Sequence, residues 1–204
     1  MSLDLATLCA PAHTAIVTSE CQQGVIGTDS MLPELAAAGA SIFAVLTPLL
    51  LAARAASVNV VHCLYARRED YLGSNLNARL FRSLRSLSPA QLIGSQAATL
   101  VPELGPAASD LVLTRTHGLN PMSGTDLDPV LRNLGTRTIV VTGVSVNVAV
   151  TNLVMEAVNL GYDVVIPRDA VAGVPADYAD AVIDNTLSLL ATLTTTADLI
   201  AAWQ

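Results

Sequence analysis

Short β-branched runs alternate with helix-length apolar stretches from one end of the chain to the other. Residues 14–19 read as a first buried strand that ends at Glu20. After a polar loop with Gly24 and Gly27, Asp29 or Ser30 is placed to cap a long helix over residues 31–56. Pro33 falls in its first turn, where a missing N–H does no harm, and Pro48 should kink it. Residues 57–62 form a second strand. Residues 64–106 are an irregular excursion rich in Arg, Asn and Ser, with a short helix near 78–85; a loop region of that length usually serves function, as a lid or an interface. The third strand is 110–114, followed by a short helix over 126–134. The fourth, 138–142, runs into Gly143 and a helix over 146–160. The fifth strand is 162–166, and a helix follows over 176–190. Residues 191–194 add a sixth strand before a terminal helix that ends near Trp203.

This βα alternation predicts an α/β fold of three layers, α-β-α, with a six-stranded parallel, Rossmann-like sheet. Residues 1–204 show no repeat, linker or second domain, so a single domain is expected. Ligands in such sheets bind at the C-terminal strand ends. Three residues follow or open those ends on one edge: Glu20, Arg115 and Ala149.

Composition narrows the chemistry. Hydrophobic residues make up 52% of the chain and aromatics only 3%, so the core is packed from Ala, Val, Leu and Ile, as suits strands covered on both faces. A net charge of −7 argues against nucleic acid as a partner. The apolar stretch 42–56 carries Pro48 and Arg54 and reads as too short and interrupted to span a membrane. The N-terminal Met-Ser-Leu-Asp-Leu lacks a basic region followed by an apolar run. Cys9, Cys21 and Cys63 are odd in number and unclustered, which argues against disulfides and against a cysteine-based zinc site and fits a reducing cytoplasm. All ten basic residues are arginine, so lysine chemistry is excluded. No Gly-x-Gly-x-x-Gly or Gly-Lys-Ser/Thr turn supports a nucleotide cofactor.

Several motifs occur in order: Glu20-Cys21-Gln22, Arg115, Gly124-Thr125-Asp126-Leu127, Gly143-Val144-Ser145-Val146-Asn147-Val148-Ala149-Val150, Gly161-Tyr162-Asp163-Val164 and Asp169-Ala170. Together they resemble the isochorismatase-like hydrolases, or cysteine hydrolase superfamily, from about residue 13 to the C-terminus. The resemblance implies a catalytic Asp, Lys and Cys, and this chain has Glu20, Arg115 and Ala149 in their places. A methyl group cannot attack a carbonyl, which closes the thioester route. Arginine cannot readily shuttle protons as lysine does, but it can orient a carboxylate.

The resemblance further implies a cis peptide between Val144 and Ser145, with the Ser145 and Ala149 N–H groups as oxyanion donors. Arg67, Arg68, Arg79 and His117 are candidates to hold an anionic substrate from above. Metal binding is not expected, because the Asp-x-His motif of zinc-bearing members is replaced by Leu64-Tyr-Ala-Arg-Arg-Glu-Asp70. Cys21 neighbours Glu20 but points to the opposite face, a poor substitute nucleophile. Ser145 or Asn147 is placed to cap the elbow helix, Asp169 to pin a turn, His62 to sit in the core and His13 to be exposed.

Two functions follow. One is a hydrolase of a small anionic or polar metabolite, with Glu20 as general acid or base, for instance on an enol ether, and no cofactor. The other is a catalytically silent binding or scaffolding protein that keeps the fold. The resemblance also implies a homodimer or higher homo-oligomer.

Overall fold

The computed structural model describes residues 4–204; Met1 to Leu3, part of the segment read for a targeting signal, lie outside the described residues. The strands are β1 (Thr14–Ser19), β2 (Asn59–Tyr65), β3 (Leu111–Arg115), β4 (Thr138–Val144), β5 (Asp163–Pro167), β6 (Val171–Ala172) and β7 (Thr192–Thr194). The helices are α1 (Leu5–Leu8), α2 (Gln23–Ile26), α3 (Pro33–Gly39), α4 (Phe43–Ala55), α5 (Arg79–Leu84), α6 (Leu127–Asn133), α7 (Thr151–Asn159), α8 (Ala176–Asn185) and α9 (Thr196–Ala202). All strand pairs are parallel, in the order β3-β2-β1-β4-β5-β7. The six expected strands form this path, and the two-residue β6 pairs beside β4.

The period-2 alternation of each strand divides the core in two. Ala15, Val17, Ile139 and Val141 face α6, α7 and α8 through Leu127, Leu131, Leu153, Val154 and Ile183. Ile16, Val140 and Val165 face α4 and α9 through Leu46, Leu49, Leu50 and Leu199. Both faces of β1 and β4 are covered, which explains their continuous apolar character.

Several boundaries differ from the sequence expectation; the helix expected over 176–190, for one, ends at Asn185. β2 starts later and runs to Tyr65, because Cys63, Leu64 and Tyr65 pair with Leu113, Thr114 and Arg115. The 31–56 helix is broken by a 3₁₀ turn at Ala40–Ile42, while α4 continues through Pro48. The break adjoins Gly39, where a Cβ would come within 2.9 Å of Ile26 Cγ2, so close packing on α2 sets the local path. As one 23-residue run, Pro33–Ala55 is long and apolar enough to cross a membrane, more than the 42–56 stretch suggested. In the fold its Leu46, Leu49, Leu50 and Ala53 are buried in the core. Neither Asp29 nor Ser30 caps the helix: Leu32 is the N-cap and no side chain caps it, while Ser30 Oγ accepts from Leu32 N–H at 2.8 Å in the turn before it.

Two polar ties hold the frame. Thr18 Oγ1–H donates to His62 Nδ1 at 2.8 Å, and His62 Nε2–H donates to Asp110 Oδ2 at 3.3 Å. Asp110 also receives Arg54 at 2.6 Å, so the core histidine is satisfied, as expected. Asp169 is structural too, though its partners are distant: it accepts from Thr196 N–H at 2.9 Å and Thr196 Oγ1–H at 2.6 Å, anchoring α9. His13 is only half exposed.

Candidate active site

β1 ends by turning sharply at Glu20, which takes a left-handed backbone with φ of 53°. A non-glycine residue there is mildly strained, and the turn is held by Glu20 N–H to Cys63 O at 2.9 Å and Gln22 N–H to Glu20 O at 2.8 Å. Gln22 then ties the loops together. Its Oε1 accepts from Tyr65 N–H, and its Nε2 donates to Tyr65 O and Ala98 O, each at 2.8 Å. This strand-one turn is thus cross-linked to the 64–106 excursion.

Arg115, the last residue of β3, reaches over the end of β2 and pairs with Glu20. Its guanidinium lies 5.4 Å from the centre of the Tyr65 ring. The Arg115 side chain is only 4% exposed and that of Glu20 21%, so the pair is largely removed from water. Burial also pushes the Tyr65 phenol up from its usual range. Arg115 Nε and Nη1 and Gln91 Nε2 are buried with no hydrogen-bond partner among the described residues.

The elbow after β4 is shaped by Gly143, with φ of 96°. A Cβ there would lie 2.3 Å from Ser19 O, so only glycine lets β4 lie this close to β1. The Val144–Ser145 peptide is cis. The chain then enters a π-helical turn, Val146–Val150, before α7. Ser145 O accepts from Val148 N–H at 3.2 Å and Val150 N–H at 3.0 Å. Neither expected side-chain cap is made: Ser145 makes none, and Asn147 Nδ2 donates to Val174 O at 3.3 Å. Ala149 is 2% exposed and presents its methyl group where the resemblance places a nucleophile.

Glu20, Arg115, Ser145 and Ala149 line one open-mouthed cavity. Its remaining wall is mostly apolar, from Val25, Met31, Leu32 and Leu35 on one side and Leu80, Phe81, Leu84 and Leu119 on the other, with Tyr65 and Gln91. Val144 is fully buried in β4, behind this lining.

The arginine loop is not brought to the cavity. Arg67 is buried against Tyr71, its guanidinium 4.0 Å from the ring centre, and Arg68 pairs with Asp70 at 2.6 Å. Both border a separate surface groove with Leu92 and Ile93. Arg79 opens α5 on its exposed face, while Phe81 and Leu84, three residues apart, turn inward. His117 packs beside Gly124, and it is its neighbours Gly118 and Leu119 that line the cavity. Sequence reasoning missed Gln91, Tyr65 and the apolar wall; the 81/84 spacing was the one readable signal.

The cysteines offer no nucleophile. Cys21 is fully buried on the far side, with Sγ–H toward Ser19 O at 3.6 Å, and burial with the nearby Glu20 charge pushes its thiol up to about 12. Cys63 is likewise pushed up to about 12 by burial. Among the described residues no cluster of three or more His, Cys, Asp or Glu side chains is arranged to hold a metal ion.

A model of the isochorismatase domain matches residues 14–198. The chain is similar to an uncharacterised isochorismatase family protein of Bacillus subtilis, YwoC, at 37% identity over 75 residues; the match covers 37% of this chain and 39% of that protein, well under half of its length. It is also similar to the ureidoacrylate amidohydrolase RutB of Rhizobium rhizogenes, 29% identical over 183 residues, covering 82% of this chain and 74% of that one. A cysteine hydrolase structure from Pseudomonas syringae shares the fold, with a TM-score of 0.84 and 24% identity over 96% of this chain and 94% of that one.

Proposed function

This chain belongs to the isochorismatase family, whose members are hydrolases, and from that premise we propose that it hydrolyses a small anionic or polar metabolite without a cysteine nucleophile. The observation that carries the reading is the Glu20–Arg115 pair lining the same cavity as Ser145 and Ala149. An amide or related acyl bond is the favoured target, because a relative similar over most of the chain is named an amidohydrolase.

Water takes the part of the missing thiol. As a carboxylate, Glu20 accepts a proton from a water molecule while the water oxygen bonds to the acyl carbon. The carbonyl π electrons move to oxygen, where the Ser145 and Ala149 backbone N–H groups receive the developing charge. Collapse breaks the bond to the leaving group, and Glu20 returns its proton to that group. Arg115 holds the carboxylate in place. On an enol ether the same carboxyl would act first as an acid, protonating carbon before water captures the cation.

A second reading, binding without turnover, is favoured by one observation: the methyl group of Ala149 at the nucleophile position. Turnover of an amide, ester and enol-ether panel by wild type and Glu20→Gln separates the two. Activity that falls on the order of 100- to 10,000-fold in Glu20→Gln supports a carboxylate-dependent hydrolase. Activity indifferent to the substitution moves the chemistry away from Glu20. Binding of a panel member without turnover in either protein favours the second reading.

A further inference from the structure

We propose that the cavity takes an amphipathic acyl compound, its polar head lying at the Arg115 and Gln91 end and its apolar tail lying in the groove between α3 and α5. The inference rests on the reading above only in taking this cavity as the substrate site, and it narrows the substrate class.

The head is defined by unused donors. Arg115 Nε, Arg115 Nη1 and Gln91 Nε2 are buried and have no partner among the described residues, although both side chains line the cavity. Arg115 is 7% exposed and Gln91 4%, so bulk water is a poor substitute partner for either. Buried donors left unpaired destabilise a fold, and a polar head reaching the Arg115 and Gln91 end of the cavity would give at least one of them a partner. Because Glu20 already offsets the Arg115 charge, a neutral carbonyl and a carboxylate both suit the site.

The tail is defined by the rest of the wall. Beyond the polar end, the lining is aliphatic and aromatic, with Leu35, Phe81, Leu84 and Val148 around the void. A second, more open groove shares Met31, Leu32, Leu35, Leu80, Ser145 and Val148 with the cavity and continues outward past Leu87 and Val174. The two spaces are therefore contiguous and remain mainly apolar toward solvent. A small, wholly polar metabolite would leave this surface in contact with water, whereas an apolar chain would cover it. Leu80 stands at the junction and is 42% exposed, so it can be replaced without opening the core.

The test is a calorimetric titration with sodium acetate, butyrate, hexanoate and octanoate, and with the matching primary amides. Affinity should rise about fourfold per methylene through the series. Leu80→Glu should flatten that dependence, with Leu80→Gln as the milder variant if the first melts early. Gln91→Leu should weaken all members alike, by about five- to tenfold, since it removes a head contact and leaves the tail contacts. The tighter of the two series identifies the head. Affinity independent of chain length, or a dependence unchanged in both Leu80 variants, overturns the proposal. Binding needs no turnover, so the two readings fail separately. Chain-length-dependent binding with no turnover of the amide, ester and enol-ether panel would sink the hydrolase mechanism alone, and hydrolysis with a flat series would sink the amphipathic ligand alone.

Discussion

Arg115 crosses the width of a strand to reach Glu20: the glutamate follows β1, the arginine closes β3, and β2 lies between them. At the usual strand spacing that is about 10 Å of sheet. The long arginine side chain spans it by lying over Tyr65, which places a charged pair at the floor of an otherwise apolar cavity. Two residues 95 positions apart in the chain thus meet each other in space.

The pair should be energetically coupled. In a double-mutant cycle of Glu20→Gln and Arg115→Met, each single change leaves a buried polar group short of a partner. Their combination should cost less than the sum, with a coupling of about 1–3 kcal/mol in urea unfolding. Strict additivity would mean that the pair is formed only weakly in solution.

Native thiols should be inert. Cys9, Cys21 and Cys63 are all buried, and burial pushes each thiol up to about 12, so thiolate is scarce at neutral pH. The folded protein should take up no iodoacetamide by mass spectrometry. Ala149→Cys, at a position lining the cavity, should gain one adduct. Labelling of wild-type Cys21 without unfolding would revive it as a nucleophile.

Gly143 should tolerate no side chain. Gly143→Ala adds a Cβ 2.3 Å from Ser19 O at a φ of 96°, so either β1 and β4 separate or the elbow moves. The expected loss is ~2 kcal/mol or more by chemical denaturation. Gly135→Ala provides a matched control: it also has positive φ, at 72°, but its Cβ would meet nothing within 4 Å. The excess loss at Gly143 measures the strand contact.

Stability should fall on mild acidification because of His62. Burial is the main force lowering its pKa, outweighing the attraction of Asp110, so the folded protein holds it neutral. The unfolded state takes up a proton near pH 6.5 and the folded state only lower, so this contribution is complete above about pH 6.5 and is lost as pH falls toward the folded value. Burial pushes the Asp110 carboxyl up, but hydrogen bonds from Arg54 and Ala107 N–H bring it net below its ordinary 3.8, giving a further loss at more acidic pH. Thermal melts between pH 8 and 4 should show the first step, and His62→Asn should lack it. An equal slope in both proteins between pH 6.5 and 5 would assign the loss to other groups.

What could be read along the chain was what depends on near neighbours. The β-branched runs at 14–19 and 138–142 and the succession of helix-length stretches were enough for the parallel α/β fold, since strand and helix periods are local properties. The absence of lysine and the alanine at 149 were plain from identity alone. What depends on distant partners was not legible. β2 extends to Tyr65 only because β3 lies beside it, and the 31–56 helix breaks where Gly39 presses on Ile26. The arginines of the excursion looked like ligands for an anion, yet Arg67 stacks on Tyr71, Arg68 pairs with Asp70, and α5 directs Phe81 rather than Arg79 inward. Gln91 carried no signal until the fold buried it beside the same void as Arg115. The sequence alone therefore determined the layers and the chemical inventory, through spacing and residue type. Tertiary structure decided which polar groups lost water without gaining a partner, because that depends on packing between segments far apart in the chain.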